Sequence, residues 1–181
     1  DFRQQAKQDF ISMCWQMRLA ILLKNKGFSI LPTMSKGPDL GIQVGEHSCW
    51  IEAVAPSSGE GKNTVNRPPL NHVGSVPERE IILRLVSSIQ SKVSQHMSWL
   101  DSGLISIDDP FIIAVCGGKI PDSDLSPGVS FIEKSLFGLG SFQIHIDIPS
   151  GTVKGNSYQH RPSIVNANTK EISTDIFLSN S

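Results

Sequence analysis

Apolar positions recur at helical spacing in two long stretches and at a spacing of two in several short ones. Over residues 2–26, Phe10, Cys14, Met17 and Ile21 fall at steps of three and four, and Met13, Ala20 and Leu22 widen the stripe. This predicts a first helix that buries that stripe. Lys24 and Lys26 suit its C-terminus, and Gly27 suits a left-handed stop. Residues 28–31 start a strand that Pro32 ends. Leu40, Ile42 and Val44 then alternate with Gly41 and Gln43, and Gly45-Glu46-His47-Ser48 supplies a turn. A second run over 49–55 puts Trp50, Glu52 and Val54 on one face and Ile51, Ala53 and Ala55 on the other. Both faces are largely apolar, as in a strand covered on two sides.

The stretch 56–77 has no apolar period and is crowded with Gly, Pro, Ser and Asn. Loops of this length within a domain are lids, binding loops or disordered segments. Lys62, Arg67 and His72 would let it lie over an anionic ligand; a plain mobile loop is the other reading. Gly59-Glu60-Gly61-Lys62 is not a phosphate-binding loop, because Pro56 stands where the first glycine belongs and Asn63 replaces Ser or Thr. Val76-Pro77-Glu78 opens a second long helix that runs to about Leu100, with Ile82, Leu85, Ile89, Val93 and Leu100 marking the buried face. Arg84, Ser88, Lys92 and Gln95 form a polar stripe along its edge, either reaching over the sheet or snorkelling from a boundary.

Phe111-Ile112-Ile113-Ala114-Val115-Cys116 reads as a central strand. Residues 131–139 are a short helix or irregular. Phe142, Ile144, Ile146 and Ile148 alternate with Gln143, His145 and Asp147 as a half-exposed strand, and His145 and Asp147 share a face that either is solvated or binds metal. A last hairpin spans 163–165 and 171–178 around Asn166-Ala167-Asn168. A hairpin followed by a helix and a buried strand implies an α/β fold, a mixed central sheet flanked by helices.

Composition bounds this picture. At 181 residues and 39% hydrophobic, the chain suits a single domain over 1–181 with one core. It does not start with Met and still reads as strand at 174–178, which fits a piece of a longer chain. The formal net charge of -1 provides no global positive field, so nucleic-acid binding would need a local patch. Cys14, Cys49 and Cys116 are far apart in apolar surroundings and read as reduced core cysteines of a cytoplasmic protein. No apolar run is long enough to span a membrane, so no membrane partner is expected.

Two carboxylates carry the candidate chemistry. Glu52 lies between apolar neighbours in a strand, where a charge is costly to bury unless it is paired or binds a cation. Asp39 follows proline ahead of the adjacent strand. Asp39 also fits a turn-initiating role, and Glu52 fits an edge-strand glutamate or a buried ion pair with Arg84.

Gly37-Pro38-Asp39, a turn, and then Trp50-Ile51-Glu52-Ala53-Val54 resemble the core motif of the PD-(D/E)xK nuclease superfamily, the restriction-endonuclease-like fold. The resemblance covers about residues 10–116. It implies that Asp39 and Glu52 hold Mg²⁺ (or Mn²⁺) and that the substrate is nucleic acid, DNA in the first instance. The family's lysine two residues after the acid is absent: Val54 stands there, on the same side as Glu52 and about 7 Å away. Some members supply this lysine from the following helix, which implies Lys92 as the third catalytic residue. Lys62, Arg67, Arg84, Ser88 and Gln95 are then the expected substrate contacts, with Asp9 as a further carboxylate. The alternative is a nuclease-fold module without catalysis that binds nucleic acid or a protein partner. A small-molecule site beneath residues 57–76 is a third option, and self-association as a homodimer is left open.

Overall fold

A computed structural model describes residues 9–32, 36–69, 71, 74–126 and 128–178. His72 lies outside the described residues, as does the part of the expected first helix before Asp9. The fold is mixed α/β, as the pattern predicts. Where the pattern suits one domain, the contacts gather into two compact units: residues up to Ser57 with Ser88–Lys119, and Ser58–Ser87 with Ile120–Ser181.

The first unit is built on a three-stranded sheet. Strand β1 (Leu40–Val44) pairs antiparallel with β2 (His47–Val54), and β2 pairs parallel with β3 (Phe111–Val115). The expected strand over 28–31 contributes one bridge, Ile30 to Ile42, beside β1. The middle strand is β2 rather than the apolar 111–116 run, and Ile112 of β3 is 47% exposed. An apolar run marks a strand that can be buried on both faces, but it does not say which strand has a neighbour on each edge.

Helix α1 (Phe10–Asn25) covers one face of this sheet. Leu19, Ala20 and Leu23 pack on the cluster of Leu40, Ile42, Cys49 and Ile51. Trp15 fixes the helix further by donating from Nε1 to the Ala114 carbonyl at 2.9 Å. The stripe expected to be buried is turned outward, with Phe10 68% and Ile21 58% exposed. The helix is apolar around most of its circumference, so spacing alone does not choose a face. The polar anchors Trp15 and Gln16 do.

Helix α2 (Glu78–Asp101) starts in the second unit and ends in the first. In the first unit, its His96 stacks on Phe111 with centroids 4.1 Å apart, and Trp99 meets the same ring edge-on. Val93, expected on the buried face, is exposed, whereas Ile82, Leu85 and Ile89 are buried as expected.

The second unit contains the first part of α2, α3 (Phe131–Phe137) and two hairpins, β4 (Leu139–Asp147) with β5 (Thr152–His160) and β6 (Ser163–Val165) with β7 (Glu171–Ser173). Val65, Ile81, Ile82, Val86 and Phe131 are its most deeply buried large apolar residues. Helix α3 has a capping box between Ser130 and Glu133, a Ser-x-x-Glu signal present in the sequence. The strand expected over 171–178 stops at Ser173. Buried Thr174 leaves the ladder and donates its hydroxyl to the Arg161 carbonyl. The long 56–77 stretch is partly anchored: Val65 is buried, its N–H donates to the Ser58 carbonyl, and Asn63 Oδ1 accepts from Ala167 N at 2.8 Å. Among the described residues, no helix is long and apolar enough to cross a membrane.

Candidate metal and catalytic site

The site begins where Pro38 delivers the chain into β1. Asp39 Oδ2 accepts from the Ala53 N–H of β2 at 2.8 Å, so its carboxylate closes the end of the ladder much as a backbone carbonyl would. Its Oδ1 accepts from Gln16 Nε2 of α1 at 2.8 Å. In return, the Asp39 N–H donates to Glu52 Oε2 at 3.3 Å. The two acids are therefore neighbours, locked by hydrogen bonds between adjacent strands.

Alternation along β2 turns Ile51 to α1 and Glu52 to the opposite face, where the 88–101 part of α2 lies. Lys92 reaches in from that helix and places Nζ 2.7 Å from Glu52 Oε1 and 3.0 Å from Gln95 Oε1. The Glu52 side chain is 6% exposed and that of Lys92 25%. A buried glutamate thus has the ion pair that its burial requires, and its cation is Lys92 where the other reading names Arg84. Burial pushes the Asp39 carboxyl above its ordinary value; the Ala53 N–H opposes this, the Glu52 charge adds to it, and Lys92 offsets it in part.

Among the described residues, each of the four carboxylate oxygens accepts one hydrogen bond, which leaves each a further acceptor position. Two carboxylates with spare oxygen lone pairs suit a hard divalent cation that fills its shell with water and phosphate. Among the described residues, no group of three or more His, Cys, Asp or Glu side chains gathers as a metal site, so any cation here would rest on these two acids. The donor set fits Mg²⁺ or Mn²⁺ on that basis.

Several expected residues lie elsewhere. Asp9 caps α1, accepting from Ser12 and pairing with Lys119 at 2.6 Å, and the bond from Lys119 chiefly holds its carboxyl below the ordinary value. It has a structural job, and the α1 residue beside Asp39 is Gln16. Ser88 lies one turn before Lys92 on α2. Lys62, Arg67 and Arg84 belong to the second unit. There, Lys62 lines a cavity of about 870 Å³ with Thr64, Asn66, Glu80 and Asp122, and Arg84 packs against Gly59. His145 and Asp147 have separate local partners: His145 Nε2 meets Ser157 Oγ at 2.8 Å, and Asp147 accepts from the Ser150 N–H in the turn. A register shift between His145 and Ile146 also breaks the alternation that put the two on one face.

Gln16 has a weak signal in the sequence, a lone amide among the apolar residues Met13, Cys14, Trp15, Met17 and Leu19. Its partner 23 residues on is not legible there. Comparison with known proteins adds no kinship: no family model, curated protein or solved structure matches this chain.

Proposed function

We propose that the first unit is a metal-dependent nuclease domain of the PD-(D/E)xK type that hydrolyses DNA phosphodiester bonds. The observation that carries this reading is the joining of Asp39, Glu52 and Lys92, from the entry to β1, from β2 and from α2, in one hydrogen-bonded cluster. Asp39 and Glu52 would hold Mg²⁺ or Mn²⁺. When bound, the ion would lower the pKa of a coordinated water and neutralise charge developing on the phosphate. Gln16 and the Ala53 N–H fix the Asp39 carboxylate in one orientation, and the Asp39 N–H and Lys92 do the same for Glu52. The Lys92 ammonium supplies positive charge and donors beside the acids, standing in for the lysine that Val54 displaces. Gln95 holds Lys92 from the next turn, and Ser88 and Gln95 are the substrate contacts within this unit. Lys62, Arg67 and Arg84 lie in the second unit.

Val54 favours a second reading, a non-catalytic module of the same architecture that binds nucleic acid or a protein. Calorimetry with Mn²⁺ and a plasmid-nicking assay separate the two. The nuclease reading expects Mn²⁺ binding that Glu52→Gln removes, and cleavage that Lys92→Ala abolishes without unfolding the chain. Absence of Mn²⁺ binding to the wild type would sink it in favour of the module.

A further inference from the structure

The second unit contains a buried cation that the proposed nuclease chemistry does not use. Lys134, on α3, is only 3% exposed, which is rare for a lysine and demands compensation. Its Nζ donates to Glu78 Oε2 at 2.6 Å and lies 5.3 Å from the centre of the Phe131 ring. Glu78 is shared, because Arg161 Nη1 donates to Oε1 at 2.9 Å. Two cations on one carboxylate leave this triad with a formal charge of +1. Burial raises the Glu78 carboxyl, but the bonds from Lys134 and Arg161 outweigh it and leave it below the ordinary value, so the acid stays ionised.

Lys134 and Glu78 form part of the wall of a cavity of about 340 Å³, completed by Gly128, Ser141, Phe142 and Tyr158. That volume suits a small organic ligand. Phe142 and Tyr158 form a tilted aromatic pair, centroids 5.3 Å apart, and Phe142 is half exposed at the cavity. Gly128 has φ +79, and an added Cβ there would collide with the Tyr158 hydroxyl, so the hydroxyl lies close over bare backbone. The cavity thus combines an ammonium with donor capacity beyond Glu78, two hydroxyls and an aromatic wall.

We propose that this cavity binds a small organic oxyanion, a carboxylate or phosphate carried on an aromatic or apolar body. The oxyanion takes its charge-assisted hydrogen bond from Lys134 and further donors from Ser141 and Tyr158, while the body lies against Phe142 and Tyr158. The site is independent of Asp39 and Glu52 and goes beyond the nuclease reading.

Phenyl phosphate, benzoate and inorganic phosphate, titrated into the full chain without divalent cations and followed by calorimetry, test it. Saturable one-to-one binding of phenyl phosphate or benzoate, tighter than that of inorganic phosphate, is expected; the better of the two identifies the oxyanion. Lys134→Met should weaken binding about tenfold or more, the loss of one charge-assisted bond. Because Lys134 is buried, Phe142→Ala, at an exposed position, provides a second arm that does not depend on its replacement folding, and should weaken binding several-fold. Absence of saturable binding to the wild type overturns the proposal, and so does binding that Phe142→Ala leaves unchanged.

Discussion

Gln16 and Asp39 are joined by a 2.8 Å hydrogen bond from a helix amide to the carboxylate that precedes β1. The Ala53 N–H takes the other oxygen, so Asp39 is held from both sides before any ligand arrives. An acid fixed in this way loses little freedom on binding a cation, which is the advantage of a preorganised ligand.

Gln16→Ala should therefore cost about 1 kcal/mol of stability, the typical value of one such bond. It should also weaken Mn²⁺ binding several-fold while leaving the secondary structure intact. Urea denaturation and calorimetry on the same protein separate the two effects. Unchanged Mn²⁺ affinity would remove Gln16 from the site.

The pairing of Glu52 with Lys92 predicts a strong non-additivity. Lys92→Met strands a nearly buried carboxylate, and because water reaches Lys92 in part the cost should fall near the lower end for buried pairs, about 3 kcal/mol. Adding Glu52→Gln should restore most of that loss. A double-mutant cycle by urea unfolding measures it, and additive single effects would show that the pair does not couple.

Asp39 makes stability depend on pH with a definite sign. Its folded-state value is raised, first by burial, so its contribution is fully present below the ordinary carboxylate value and is lost as pH rises through the folded value. Asp39→Asn does not titrate and keeps an oxygen for the Ala53 N–H. The stability of the variant relative to wild type should rise across that acidic window and then level off. Mg²⁺ should stabilise the wild type at neutral pH and have little effect on the variant. Thermal melts from acidic to neutral pH check both, and a flat difference would contradict the assigned shift.

Gly41 is opposite Trp50 in the β1–β2 ladder, and an added Cβ would come within 2.5 Å of the indole ring. The ring has little room to yield, since Trp50 Nε1 donates to Asp109 at 3.0 Å. Gly41→Ala should therefore destabilise the chain by about 1–3 kcal/mol, the usual cost of overpacking. Chemical denaturation and the near-ultraviolet signal of tryptophan would report it.

Much of the first unit was legible in the residues. A period of two led to the β1–β2 hairpin, although His47 and Ser48 belong to β2 and not to the turn, and the family resemblance picked Lys92 from the polar stripe on the second helix. The glutamate's burial among apolar neighbours implied a cation partner before any geometry was known. The reading failed where several solutions satisfied the same pattern. An almost wholly apolar α1 has no unique buried face, and Asp9, an acid on the same helix as Gln16, went to the cap instead of the site. The β5 strand, over Thr152–His160, has too little apolar alternation to be read without its partner β4.

The amino-acid sequence alone determined most of the local elements and the two acids, because periodicity and desolvation cost act over a few residues, but the hairpin turn proved tighter than the four residues 45–48, with Val44 pairing with His47. Only the tertiary structure decided which face of α1 packs, which strand lies in the middle, and that Gln16, Asp39, Glu52 and Lys92 meet. Those outcomes depend on hydrogen bonds between residues far apart in the chain, and their geometry exists only once helices and sheet have packed.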